Sequence, residues 1–188
     1  ILNPTFDDAW FFHEGLVSVG IKSGKSTKYG YVDKTGKYVI NPQFDISYGF
    51  SEGLASFQNG DSETGKWGFI DKTGRVVISS QFDSVTDFLN GYSVVGIKSK
   101  EKGKDVIKFG AIDKSGKYVV NPQYEAMGNY ASGVFPVQQK EKWGYIDSTG
   151  KFKINPQYTT AQSFSEDLAG VCTGVQKDGN GLLCGYID

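Results

Sequence analysis

"GKWGFIDKTGRVVISSQFD" occupies residues 65–83 and returns, lightly edited, as "EKWGYIDSTGKFKINPQYT" at 141–159. Its first half is an aromatic, a glycine, a free position, Ile or Val, and Asp, followed by a short turn that ends in glycine. That pattern occurs as "YGYVDKTG" (29–36), "WGFIDKTG" (67–74), "FGAIDKSG" (109–116) and "WGYIDSTG" (143–150), with a partial "CGYID" at 184–188. Its second half recurs as "INPQF", "ISSQF", "VNPQY" and "INPQY", and an orphan "LNPTF" ends at Phe6. A fixed internal period of this kind identifies a repeat architecture before any single residue is interpreted.

The spacing separates a constant part from a variable one. From the anchor aromatic to the glycine of the "EGL"-type motif there are 24 positions in each case: Tyr29 to Gly53, Trp67 to Gly91 and Phe109 to Gly133. Trp143 to Asp167 keeps the same 24, with Asp in the glycine's place. From there to the next anchor the gap is 14, 14, 18, 10 and 17. Length therefore varies only in the segments 20–28, 58–66, 96–108, 138–142 and 173–183.

Each unit reads as short strands joined by tight turns. "KWGFID" alternates, with Trp67, Phe69 and Asp71 on one face and Gly68 and Ile70 on the other. In "DKTGR" the Asp side chain caps the turn and the Gly supplies a positive φ. "RVVIS" is the return strand; Pro42, Pro122 and Pro156 are expected to end it, since proline donates no ladder hydrogen bond. After a bend, "GLASF", "GYSVVGIK" and "GVFPVQQ" make a third strand. The 25 glycines, 11 tyrosines and 13 phenylalanines against one methionine favour strands and turns, and no stretch holds a helical period.

These anchors resemble the WG-repeat (WG β-repeat, KWG-like) proteins of bacteria, through "WGFIDKTG", "WGYIDSTG" and the tail "INPQF…FSEGLA" at 40–55. The resemblance spans essentially the whole chain. It implies an all-β repeat architecture with binding or accessory roles, and it supplies no catalytic residue. Tyr29, Phe109 and Cys184 stand where the pattern has Trp, Ala111 replaces the second aromatic, and Ser80 replaces the Pro.

The expected fold is a single all-β domain over 1–188 of about five units, at 1–20 with 184–188, 29–57, 67–98, 109–137 and 143–172. A five-bladed propeller, its terminal halves completing one unit, would protect the sheet edges. The alternative is an open β-solenoid of hairpins.

Composition narrows the function. A net charge of -1 gives no field toward nucleic acid or anionic membranes, and the lysines lack the interleaved arginines of a nucleic-acid surface, Arg75 being the one arginine. No apolar run reaches the roughly 18 residues of a membrane span. The opening "ILNPTFDD" shows neither a basic n-region nor a cleavage site, so no signal peptide is expected in it; the chain begins in mid-pattern, as a piece of a longer protein would. No phosphate loop, dinucleotide motif or nucleophile elbow is present, so no enzyme activity and no cofactor are expected.

The recurrent Asp33, Asp71, Asp113, Asp147 and Asp188 read as turn caps rather than metal ligands. Tyr29, Trp67, Phe109 and Trp143 read as packing anchors, each burying enough to contribute about 2–3 kcal/mol. His13, the only histidine, lies among apolar residues and reads as a packed or surface group. Phe50, Phe88, Tyr130 and Phe164 are periodic and belong to the core, which leaves Trp10, Phe12 and Tyr48 as candidate ligand-binding aromatics. The variable segments carry Lys22, Lys25 and Lys28, then Lys98, Lys100, Lys102, Lys104 and Lys108. The bends carry Asp7, Asp8, Glu14, Asp45, Glu52, Asp83, Asp87 and Glu166. Loops of this kind emerge on equivalent edges and form a candidate surface for a protein partner, or simply keep the array soluble. A lectin-like module for glycans or cell-wall polymers is the alternative function.

Cys172 and Cys184 flank "TGVQKDGNGLL". A turn near Asp178 would place them opposite one another for a disulfide, which fits a secreted or cell-surface protein; two small buried hydrophobes in a cytoplasmic protein are the other reading.

Overall fold

The computed structural model describes residues 5–61, 64–175 and 181–188. Two compact units are present, Ile1–Phe88 with Lys114–Gly116 and Leu89–Asp113 with Lys117–Asp188. All regular structure among the described residues is β, and it forms five antiparallel sheets, one for each expected unit. Such sheets are the building block shared by a propeller and a solenoid of hairpins. No helix among the described residues is long and apolar enough to cross a membrane.

The first sheet runs in order β1 (Asp8–Ala9), β2 (Leu16–Ser23), β3 (Ser26–Asp33), β4 (Tyr38–Phe44). The second repeats it with β5 (Ile46–Ser51), β6 (Leu54–Asn59), β7 (Lys66–Asp71) and β8 (Val76–Phe82). The short β9 (Ser84–Val85) is the last strand in sequence of the first unit and belongs to neither of these two sheets. In the second unit, β10 (Tyr92–Glu101), β11 (Lys104–Asp113) and β12 (Tyr118–Tyr124) pair in sequence. They are followed by a sheet of β13 (Ala126–Met127), β14 (Phe135–Gln139), β15 (Lys142–Ile146) and β16 (Phe152–Tyr158). The fifth is β17 (Thr160–Ala161), β18 (Ala169–Val175) and β19 (Leu182–Ile187).

Two differences from the expected unit have simple causes. The bend contributes a two-residue strand of its own in β1, β9, β13 and β17, too short to carry a side-chain period. The prolines do not end the return strand: β4 runs through Pro42 to Phe44 because it lies at the sheet edge, where a missing donor faces no ladder.

That return strand explains the glycine of the anchor. Tyr29 pairs with Phe44 and Tyr31 with Ile40, so two steps on β3 face four on β4, and Asn41–Gln43 bulge across Gly30. A Cβ built on Gly30 would stand 2.5 Å from the Ile40 carbonyl oxygen and 2.6 Å from the Pro42 nitrogen. Gly68, Gly110 and Gly144 meet the same obstruction at 2.5, 2.4 and 2.5 Å.

The sheets are offset from the sequence units. The third strand of one unit pairs with the anchor strand of the next, so the variable segments 20–28, 96–108 and 138–142 become the tips of hairpins, between β2 and β3, β10 and β11, and β14 and β15. At the other end, Glu14–Gly15, Glu52–Gly53, Asn90–Gly91 and Ser132–Gly133 all have positive φ at both residues. These are two-residue turns whose twist matches the strands they join. Asp167 takes the same conformation at φ 62° in the fifth copy, one of the few non-glycine types that tolerates it.

The core forms where successive sheets meet within a unit. In the first, Tyr31, Ile40 and Phe44 pack with Phe50, Phe57 and Ile70. In the second, Val94 and Val120 pack with Phe135, Val137 and Ile146, and Tyr145 packs with Ala169 and Val171. Tyr31, Phe69 and Tyr145, two residues past the anchors, are fully buried, as are Phe82, Phe88 and Phe135. The anchors Tyr29, Trp67, Phe109 and Trp143 are half-buried and face the last aromatic of the return strand: Phe44, Phe82, Tyr124 and Tyr158.

Candidate functional site

The anchor aspartates are occupied by their own turns. Asp33 Oδ1 accepts the Thr35 amide at 2.8 Å, the Thr35 hydroxyl at 2.6 Å and the Lys37 amide at 3.2 Å. Asp71 and Asp147 repeat this, and Asp113 accepts from the Lys117 amide at 3.1 Å. These bonds, led by the threonine hydroxyl, hold the Asp71 and Asp147 carboxyls down at about 2. That is the chemistry of a turn cap.

Much of the charge sorting along each unit is internal pairing. Lys28 Nζ donates to Asp45 at 2.5 Å, and Lys66 Nζ to Asp83 at 2.6 Å. Asp7 accepts the backbone amide of Lys22, Asp45 that of Gly60, and Glu125 those of Lys140 and Glu141. The acid that follows the return strand thus clamps the base of a variable hairpin. The sequence held the signal, a Lys and an acid 17 positions apart at 28/45, 66/83 and 108/125. Lys22 and Lys25 sit exposed on the β2–β3 hairpin of the first unit. Lys98, Lys100, Lys102 and Lys104 sit exposed on the β10–β11 hairpin of the second, with Lys98 opposite Ile107 and Lys100 opposite Asp105.

Cys172 and Cys184 are direct partners in the β18–β19 register, and their sulfurs are bonded at 2.11 Å. Cys184 stands at the anchor position, and Cys172 where Gln58 and Gln138 face Trp67 and Trp143. The disulfide therefore replaces an anchor contact. The first three residues of the proposed "DGNG" turn, 178–180, lie outside the described residues, as does the start of the orphan "LNPTF".

The bends hold the most distinctive surface. A cleft of about 370 Å3 in the first unit is lined by Trp10, Phe11 and His13 from the first bend, Tyr48 and Gly49 from the second, and Asp87 from the third, among others. Trp10 is 49% and Tyr48 41% exposed, and their rings meet edge to face at 6.0 Å. Tyr48 also stacks on Trp67, 5.2 Å away and within 7° of parallel. The Tyr48 carbonyl accepts a 2.6 Å hydrogen bond from the buried Tyr31 hydroxyl, which pins its backbone. The ring of His13 lies against Gly49, where a Cβ would come within 2.5 Å of Cδ2.

A family model of the WG containing repeat matches residues 1–24, 29–62, 67–100, 109–143 and 143–180. The chain belongs to this family. The geometry accounts for the two letters of the WG motif: the glycine yields to the bulged return strand, and the tryptophan pairs with that strand's last aromatic. No curated protein shows detectable similarity to the chain.

Of the aromatics singled out in this WG-repeat sequence, Trp10 and Tyr48 come together in the cleft, and Phe12 does not line it. Phe12 occupies the position that Phe50 and Phe88 fill with core side chains, yet is 45% exposed. The sequence reading missed His13 and Asp87 as their neighbours, because the three bends converge only in the fold. Loss of hydration around Asp87 raises its carboxyl above the ordinary aspartate range, and the nearby His13 partly offsets this.

Proposed function

We propose that this WG-repeat chain is a non-catalytic, lectin-like binding module whose ligand site is the aromatic cleft of the first unit. The observation that carries this reading is the set of exposed rings, Trp10 and Tyr48, held in fixed geometry by Trp67 and by the Tyr31 hydrogen bond. Rigid aromatic faces beside a few polar groups suit the apolar faces and hydroxyls of a sugar. Asp87 is the one carboxylate among the described residues that line the cleft, and glycosidic cleavage ordinarily takes two. That supports binding without hydrolysis. The disulfide supports an oxidising location such as the bacterial cell surface.

Titration of the chain against glycans and cell-wall polymers tests this. Trp10→Ala and Tyr48→Ala should each weaken binding by roughly tenfold or more, the usual weight of a central aromatic contact, with the melting temperature little changed. Unaltered binding in both variants would refute the site. Recognition of a protein partner is the second reading, favoured by the exposed lysines of the β10–β11 hairpin; removal of Lys98–Lys104 side-chain charge would then abolish capture while leaving the cleft intact.

A further inference from the structure

We infer that the cleft selects glycans bearing a free, protonated amino group, with Asp87 as the residue that reads it. This rests on the glycan-binding proposal and adds the chemical class of the sugar. Asp87 comes from the third bend, while the aromatic walls come from the first and second, so carboxylate and ring faces border one space. Sugar rings lie on Trp10 and Tyr48; a neighbouring ammonium group meets the carboxylate and the negative faces of the rings together. Aromatic faces attract cations, more strongly where water is excluded.

The free protein gives Asp87 little in return for its position. His13, in the same cleft, is the group that offsets its charge; burial first, and that charge in turn, hold the Tyr31 hydroxyl in its neutral form. The other bend acids are handled differently: Asp45 has Lys28 and the Gly60 amide, Glu14 has Lys72 and the Gly53 amide, and Glu125 has two amides. Each of those carboxyls is lowered by its partners, whereas that of Asp87 is raised. A carboxylate at a dehydrated spot destabilises the free fold, and a bound cation reverses that effect. An acetylated amine carries no charge and gains nothing from it.

The experiment compares a β-1,4-linked glucosamine oligomer with its fully N-acetylated counterpart by calorimetry at about pH 5.5, where the sugar amine, held well below a lysine's value by the oxygens around it, is largely protonated. The wild-type chain should bind the free-amine oligomer roughly tenfold more tightly or better, the scale of one charge-assisted hydrogen bond. Asp87→Asn should erase that preference and keep the weaker affinity for the acetylated oligomer. Glu101→Gln, a carboxylate change on the hairpin of the second unit, should leave the preference intact and so excludes a general charge effect. Equal affinities in the wild type, or a preference that survives in Asp87→Asn, would overturn the inference and leave the glycan proposal standing. Binding of neither oligomer nor any other glycan, by a sample with a cooperative melt, would overturn both.

Discussion

The bends of the first unit and those of the second are built to one plan and finished differently. At the fourth bend position the first unit has Trp10, Tyr48 and Thr86, and the second has Gly128 and Gln162. The backbone setting is conserved: the Tyr31 hydroxyl donates to the Tyr48 carbonyl at 2.6 Å, and the Tyr145 hydroxyl to the Gln162 carbonyl at 2.8 Å. At Gly128, however, a Cβ would lie 2.7 Å from Pro136 Cγ and 3.1 Å from Ser163 Oγ. Ser163 itself donates to the Asn129 carbonyl. One scaffold thus carries aromatic walls in one place and a closed, self-satisfied bend in another, so the scaffold and the surface it displays respond to different residues.

The largest expected effect strikes the shared scaffold. Gly30→Ala and Gly144→Ala each drive a methyl group into the bulged backbone of the return strand, and each should cost about 3 kcal/mol or more. Gly185→Ala, with nothing within 4 Å of its Cβ, should be nearly neutral. Urea titration of the three variants checks this; equal losses at all three positions would mean that the anchor glycine serves something other than the crossing backbone.

How far the sequence went is clearest at these glycines. The strand, the turn and the capping role of Asp71 were legible from "WGFIDKTG", because alternation and turn chemistry act over five or six residues. The reason for Gly68 was not, since the atoms that crowd it belong to Ile78 and Ser80 on another strand. The same limit applies to the cleft. Trp10 and Tyr48 stood out as aromatics outside the periodic core set, while Asp87 looked like one of eight bend acids until folding brought three bends together. The disulfide lay between: Cys172 and Cys184 were legible as a pair facing across a turn, but the choice between a bond and two buried thiols followed only from the direct pairing of β18 with β19.

A smaller change separates scaffold from surface within one hydrogen bond. Tyr31→Phe and Tyr145→Phe each remove a buried hydroxyl bond and leave a carbonyl unpaired, a loss of about 1–2 kcal/mol in both. Tyr31→Phe alone should also weaken glycan binding, because it frees the backbone under Tyr48. A binding loss in both variants, or in neither, would dissolve the distinction between the two bends.

The smallest effects are electrostatic and have opposite signs. The Asp71 and Asp147 carboxyls are lowered to about 2, so their contribution is present above the ordinary aspartate value and is lost as pH falls from about 4 toward 2. Melting temperatures should drop across that window, less steeply in Asp71→Asn. The Asp87 carboxyl is raised, so its ionised form opposes folding at neutral pH and the opposition vanishes in acid. Asp87→Asn should therefore melt slightly higher than wild type near neutrality and equal to it below the ordinary aspartate range. A lower melt at neutral pH would show that His13 outweighs dehydration at this site.

The offset between sequence copy and sheet bears on how such a chain changes over generations. A gene duplication that breaks at the variable segments separates a third strand from the anchor strand it pairs with. The inserted copy begins with an anchor strand and ends with a third strand, so both severed halves find complements at once. Copies can then be gained or lost with every sheet whole, and the seam falls at a hairpin tip, where the spacing already ranges from 10 to 18 residues. Copy number and displayed surface are in this way heritable separately, the first at the hairpin tips and the second at the bends.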